Sequence, residues 1–173
     1  MKRKALHLKR PQNIKDKLIR AKIPPQETSR PKRELPGMKK CLKCPTCPFV
    51  KTGKSVKSNM NNCTVDINAN VTCQTKNIIY LLSCKKCPEQ YIGESHRSLQ
   101  DRFADHRGYV NNRNLTKVTG LHFNQKGHKI SDMEITILEK IYNSNGQFRK
   151  QREKMWINRF NTKYKGMNRK TWC

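Results

Sequence analysis

The chain has 173 residues, room for one domain and a tail. Lys and Arg total 38 against 12 Asp and Glu, a formal charge of +26, and self-repulsion on that scale points to a polyanionic partner, nucleic acid ahead of an anionic membrane. No apolar run approaches the roughly 18 residues of a membrane span, and the opening MKRKALHLKR has no signal-peptide core, so neither secretion nor a membrane span is expected; with nucleic acid as the partner, no small-molecule substrate is expected either.

Residues 1–40 carry 14 Lys/Arg and 3 Asp/Glu, no Phe, Trp or Tyr, and prolines at 11, 24, 25, 31 and 36. Such a segment cannot bury enough apolar surface to offset its ordering entropy, and it reads as a mostly disordered basic arm. Within it, Ile14, Leu18 and Ile23 can line a short helix capped by Asn13, marginal on its own. The runs KRK and RPKR suit nuclear import. A Cys-rich segment, 41–75, follows, and a packed α/β pattern fills 76–173.

In that last part the sequence predicts strands at about 77–83 and 89–93, then a helix from Ser98. Ser98 and Asp101 have capping-box-like spacing, and Leu99, Phe103 and Val110 form the helix's apolar stripe. A shorter helix over about 116–125 is expected to end at Gly127. DMEITILEKI alternates Met133, Ile135 and Ile137 on one face, a third strand. GQFRKQREKMWINRF is the last helix, with Phe148, Met155, Trp156 and Phe160 as its buried candidates. The fold class is α+β, a small three-stranded antiparallel sheet flanked by helices. A core this small often depends on a staple such as a structural metal.

Of the eight cysteines, Cys84 and Cys87 sit at a hairpin tip, and HFNQKGH supplies His122 and His128. Two Cys and two His at such spacing can reach a tetrahedral Zn²⁺ at about 2.0–2.3 Å, pinning the hairpin to the later helix. In a chain expected to be intracellular, metal ligation is favoured over a disulfide. Cys41, Cys44 and Cys47, with Cys63 or Cys73, can form a second thiolate site whose fourth ligand the spacing leaves open. Cys173 and His7 read as unligated.

Tyr80 and Tyr91 lie on the two hairpin strands, and antiparallel pairing can set both phenols on one face. RFADHR places Arg102 and His106 at i, i+4 on one helical face. Glu153 lies mid-helix and Asn168 in KGMN. This order resembles the GIY-YIG endonucleases, in which a strand ending in Tyr and a strand opening Tyr-Ile-Gly precede an Arg, a His, a metal-binding Glu and an Asn. The branch carried by Penelope-like retroelements is the most similar, with its Cys-x2-Cys in the hairpin, two later histidines and a Cys-rich run upstream. RPQNIKDKLIRAKI resembles the stretch joining reverse transcriptase to endonuclease there. The first motif reads Ile78-Ile79-Tyr80, without the glycine that names the family, and no polymerase sequence is present, so an excised domain, a remnant or a host-acquired derivative is expected.

The resemblance implies a zinc-stapled GIY-YIG nuclease fold and a metal-dependent DNA endonuclease that nicks or cuts target DNA for retroelement insertion, with the element's RNA or reverse transcriptase as further partners. Glu153 would bind Mg²⁺ or Mn²⁺, and Arg102 would meet phosphate oxygens. Tyr80 is taken as general base, Tyr91 as its relay partner, with the order of the two open. His106 or Arg102 would help the base, and Asn168 would brace the site. Nucleic-acid contact is assigned to Gly93, where the backbone can approach a phosphate, to Arg97 and Arg107, and to Lys2, Arg3 and Lys4 of the arm. The alternative is a non-catalytic, zinc-dependent nucleic-acid-binding module, and beyond that an RNA chaperone or basic architectural protein.

Overall fold

The computed structural model describes residues 13–14, 35–143 and 145–169. Lys2, Arg3, Lys4, His7, Cys173 and most of the expected arm and its short helix lie outside them. The elements are β1 (Gly37–Met38), β2 (Ser55–Lys57), β3 (Thr64–Asp66), β4 (Asn70–Val71), β5 (Ile78–Cys84), β6 (Gln90–Ser95), α1 (Leu99–Asn111), α2 (Val118–Phe123), β7 (Met133–Lys140), α3 (Gly146–Arg159) and α4 (Thr162–Lys165). Short 3-10 turns occupy Cys47–Phe49 and Ile130–Asp132.

The central sheet has the order β6-β5-β7, antiparallel throughout. IIYLLSC forms its middle strand, and all seven residues are buried, as a near-continuous apolar run does when both faces are covered. Register places Tyr80 opposite Gly93, and Leu82 opposite Tyr91. Both tyrosines therefore share one face, on a diagonal. On β7 the alternation of Met133, Ile135 and Ile137 is kept until a bulge at Leu138 shifts the pairing, so that Ile79 faces Glu139.

Helix α1 covers the tyrosine face. Its start is fixed as the spacing predicts: Ser98 Oγ accepts from Asp101 N at 3.2 Å and donates to Asp101 Oδ2 at 2.6 Å. Leu99, Phe103 and Val110 point inward. α2 ends at Asn124, three residues before Gly127, which instead supplies a left-handed turn at φ 85° on the way to β7.

α3 covers the opposite face, and its docking departs from the apolar stripe expected. Phe148 is 40% exposed, while Arg149 is buried, its Nε 2.9 Å from Glu94 Oε2. One helical turn on, Arg152 Nε donates to both oxygens of Glu139 at 3.1 and 3.0 Å, and Trp156 Nε1 donates to Glu139 Oε2 at 2.6 Å. Two paired carboxylates thus sit where a hydrophobic reading puts phenylalanine.

The packed body begins ahead of position 41. Met38 is buried, and Gly37–Met38 pair in parallel with Asn70–Val71. The Cys-rich segment shares the core of the central sheet: Lys51 N donates to Ile135 O at 2.9 Å, and the Phe49 ring packs at a tilt against Phe103 with centroids 5.0 Å apart. No helix among the described residues is long and apolar enough to cross a membrane.

Candidate active site

The tyrosine face gathers side chains from two strands and two helices. Tyr80 is fully buried, and its hydroxyl lies 2.8 Å from His106 Nε2 and 3.0 Å from Arg102 Nε. Arg102 Nε can only donate, so the phenol oxygen accepts from it, and the same hydroxyl is hydrogen-bonded to His106 Nε2. On its other side the ring is hydrogen-bonded through Nδ1 to Thr119 Oγ1, 3.0 Å away on α2. Burial first, and Arg102 next, push His106 down to about 3, so its ring is neutral at neutral pH.

Tyr91 stands on the open side. Its ring is 6.3 Å from that of Tyr80 and 5.6 Å from His106. Together with Arg102, His106, Tyr109, Lys117 and Thr119 it lines a cleft of about 280 Å³. Burial raises the Tyr91 phenol above its usual value, and Arg102 opposes that rise through its charge and a hydrogen bond. Burial works against the Arg102 charge as well, but the phenols of Tyr80 and Tyr91 and the carboxylate of Asp105 outweigh it and hold the guanidinium protonated. Asp105 Oδ2 accepts from Arg102 Nη1 at 3.3 Å and also from Arg97, which is therefore anchored to the same helix.

The free edge of β6 aligns the remaining groups. Along it, Gln90 O accepts from Met167 N at 2.8 Å. Asn168 next satisfies both backbone groups of Ile92, its Oδ1 accepting from the N–H and its Nδ2 donating to the carbonyl, each at 2.8 Å. The backbone N–H of Glu94 serves the Glu153 carboxylate. The C-terminal helices thus use an edge strand as a ruler, which also blunts that edge against pairing with another chain. Burial raises Glu153, the neighbouring Glu94 carboxylate adds to the rise, and Arg102 opposes it. Glu153 in turn raises both phenols. A hard carboxylate near a second one, facing an arginine and two phenols, is donor chemistry that fits a divalent ion such as Mg²⁺ or Mn²⁺.

Gly93 has a packing reason within the sheet. A Cβ there would run into the Tyr80 hydroxyl, with Tyr80 Cζ at 2.6 Å and Tyr91 Cε1 at 2.9 Å. Gly93→Ala is accordingly expected to cost about 1–3 kcal/mol by overpacking and to displace the Tyr80 hydroxyl from His106. Thermal unfolding alongside a cleavage assay checks this; an unchanged Tm with unchanged cleavage would contradict the packing role. Gly120 plays a related part: a Cβ at that position would meet the Tyr109 carbonyl at 2.9 Å, so its absence lets α2 press against the α1–α2 loop and present Thr119.

At the hairpin tip, the ligand atoms of Cys84, Cys87, His122 and His128 all lie within 4.8 Å of one another. Cys87 Sγ is 3.6 Å from His122 Nε2. Glu89 Oε2 sits 3.3 Å from His122 Nδ1, the carboxylate support that leaves Nε2 directed at a metal. Both ring nitrogens of His128 are buried without a hydrogen-bond partner, and a metal ion would take one of them. Lys86 N donates to Cys84 Sγ at 3.4 Å, as backbone amides do to thiolates. The residues fit Zn²⁺.

Upstream, the structure selects between the two cysteines that the sequence leaves open. Cys41, Cys44, Cys47 and Cys73 converge, and Cys63 stays in the β2–β3 connection, outside the group. Arg107 lies over the Phe103 ring at 5.8 Å, with its Nε buried and unpartnered. Sequence reasoning missed Thr119, Glu94 and Glu89, each of which acts through a side chain distant in the chain. It also missed Tyr109 and Lys117 of the cleft wall.

A sheet carrying two diagonal phenols, an arginine and histidine on the next helix, and a carboxylate and asparagine along its free edge define a site of the GIY-YIG type. The chain belongs to the GIY-YIG family: residues 76–168 match its catalytic domain. Members of this family are endonucleases, so the substrate class is nucleic acid. No curated protein and no solved structure matches the chain.

Proposed function

We propose that this protein is a divalent-metal-dependent DNA endonuclease of the kind borne by Penelope-like retroelements, nicking or cutting target DNA for insertion. The observation that carries the reading is the single cleft on which Tyr91, Arg102 and His106 converge, with Glu153 reaching the same groups around the β6 edge. The retroelement branch is favoured by the cluster in which Cys84 and Cys87 of the hairpin tip meet His122 of α2 and His128 beyond it. A nuclear site of action, a basic arm giving salt-sensitive and largely sequence-independent affinity, and a reverse transcriptase of the same element as partner belong to the same reading.

Hydrolysis needs a water deprotonated in line with the phosphorus and charge neutralised around it. Tyr80 is a poor choice for that proton. It is sealed from solvent, burial and the neighbouring Tyr91 hold its proton tightly, and its hydroxyl is already committed to Arg102 and His106. Tyr91 faces the cleft and takes the role of general base, while Tyr80, His106 and Thr119 form the chain that fixes Arg102 behind it. Arg102 offers cationic donors to the phosphate, joined by Lys117 on the opposite wall. The ion held by Glu153 supplies charge at the scissile phosphate and the departing 3′-oxygen when bound.

The test is relaxation of supercoiled plasmid in Mg²⁺ against a chelator, across pH. Because the Tyr91 pKa is raised above 10, the phenolate is a minor form near neutrality, and the rate should rise about tenfold per pH unit through pH 7–9. Tyr91→Phe should lose on the order of 10²–10⁴ in rate, along with that slope. Tyr80→Phe should be slower than wild type yet keep the slope. The opposite pattern would return the base to Tyr80. DNA binding with no nicking by any preparation would leave the non-catalytic module as the better reading.

A further inference from the structure

We infer that Cys41, Cys44, Cys47 and Cys73 hold one zinc ion, and that this site sets the position of α1, the helix bearing Arg102 and His106. The four sulfurs lie within 4.8 Å of one another. Cys47 Sγ is 3.6 Å from Cys41 Sγ, 3.6 Å from Cys44 Sγ and 3.8 Å from Cys73 Sγ. A tetrahedron with Zn–S bonds of about 2.3 Å has sulfur–sulfur edges of roughly 3.8 Å. These separations far exceed the roughly 2.05 Å of a disulfide. They are also too short for four thiolates spread around a multi-iron cluster, which leaves a mononuclear ion.

The backbone bears the same reading. Cys41, Cys44 and Cys47 are brought to one point by a turn in which Leu42, 84% exposed, adopts the left-handed conformation with φ 65°. An exposed leucine gains nothing from that conformation by packing, and the strain of about 1–3 kcal/mol persists only where the surroundings over-determine it. A metal bound by the flanking cysteines does so. Lys39, Lys40 and Lys43 are next to these ligands in sequence and balance the net negative charge of a tetrathiolate zinc site.

The link to α1 is direct. Past the fourth ligand, the Cys73 carbonyl accepts from Gln100 N at 2.9 Å and the Thr75 carbonyl from Leu99 N at 3.1 Å, so the first amides of the helix hang on the chain leaving the site. From the other side, the 3-10 turn that begins at Cys47 carries Phe49 onto Phe103, one residue beyond Arg102. Zinc here holds the two segments that grip the helix. The consequence for catalysis rests on the nuclease reading; the metal site itself does not.

Zinc content of the full-length protein, purified without chelator and measured by elemental analysis, tests the site independently of cleavage. Two zinc ions per chain are expected for wild type and for Cys63→Ser, and one for Cys41→Ser, whose position at the margin of the core spares folding better than the buried Cys73. One zinc in wild type, two in Cys41→Ser, loss of an ion in Cys63→Ser, or iron in place of the second zinc would each overturn the assignment. Hydrogen exchange by mass spectrometry tests the coupling. In Cys41→Ser, amides at the start of α1 should lose protection while those of β5 keep theirs. Unchanged protection at Leu99 and Gln100 would show that the ion does not position the helix.

Discussion

Replacing Glu153 by alanine should lower plasmid nicking by at least about 10³-fold while leaving affinity for DNA intact, the loss expected when a preorganised charge site at the scissile group is removed. Affinity is expected to hold because the carboxylate adds nothing to phosphate neutralisation, and its removal makes a chain of charge +26 more cationic still. Glu153→Gln is the sharper variant. Its amide oxygen can still accept from the Glu94 backbone N–H, so the α3–β6 contact and the Tm should survive, whereas the hard anionic oxygen does not. The raised pKa of Glu153 adds an acid limb: as pH falls through it, the carboxylate is protonated and activity declines, over a range higher than an ordinary glutamate would give. Gel-shift titration at fixed salt beside the nicking assay separates the two quantities. Wild-type nicking in Glu153→Gln would remove this residue from the chemistry.

How much of this was legible beforehand follows the physical character of each element. β5, β6 and β7 announce themselves because a sheet buried on both faces needs runs such as IIYLL, and because one glycine beneath a tyrosine ring leaves the pattern Tyr-Ile-Gly. The start of α1 is local, a serine bonded three residues ahead, and local chemistry is readable from spacing. α3 is different. Its inward positions carry Arg149 and Arg152 because β6 and β7 present Glu94 and Glu139 to it, and a hydrophobicity pattern cannot reveal a polar interface whose partners lie 55 and 13 residues away. Phe148 was therefore placed inside wrongly.

The site shows the same division. Tyr80, Tyr91, Arg102, His106 and Glu153 were suggested by family order, but the division of labour between the phenols depends on burial, which a motif does not encode. Thr119 carries no motif; only the packing of α2 against α1 gives it a role. Cys63 and Cys73 are indistinguishable by spacing, and the choice between them is made by β1 and β4, whose parallel pairing brings the end of the Cys-rich segment back beside its beginning.

The other large effect concerns the hairpin zinc. Structural zinc contributes an apparent 10–16 kcal/mol or so in small finger peptides, as much as the entire stability of about 5–15 kcal/mol usual for a domain. Here the ion would tie the β5–β6 tip to α2, the helix that carries Thr119 and is preceded by Lys117 at the cleft, so its loss reaches His106 through Thr119 as well as the fold. Without metal, Cys84 and Cys87 face two histidines, and neither ring nitrogen of His128 has a protein partner to take the metal's place. His128→Ala is thus expected to lose one zinc per chain and to lower Tm by more than about 10 °C, with nicking reduced even at temperatures where it remains folded. His128→Cys, which restores a soft ligand at the same point, should recover zinc and much of the Tm. Circular dichroism melts with parallel zinc determination decide the matter: an alanine variant that keeps both its zinc content and its melting temperature would dissolve the link between this cluster and the nuclease.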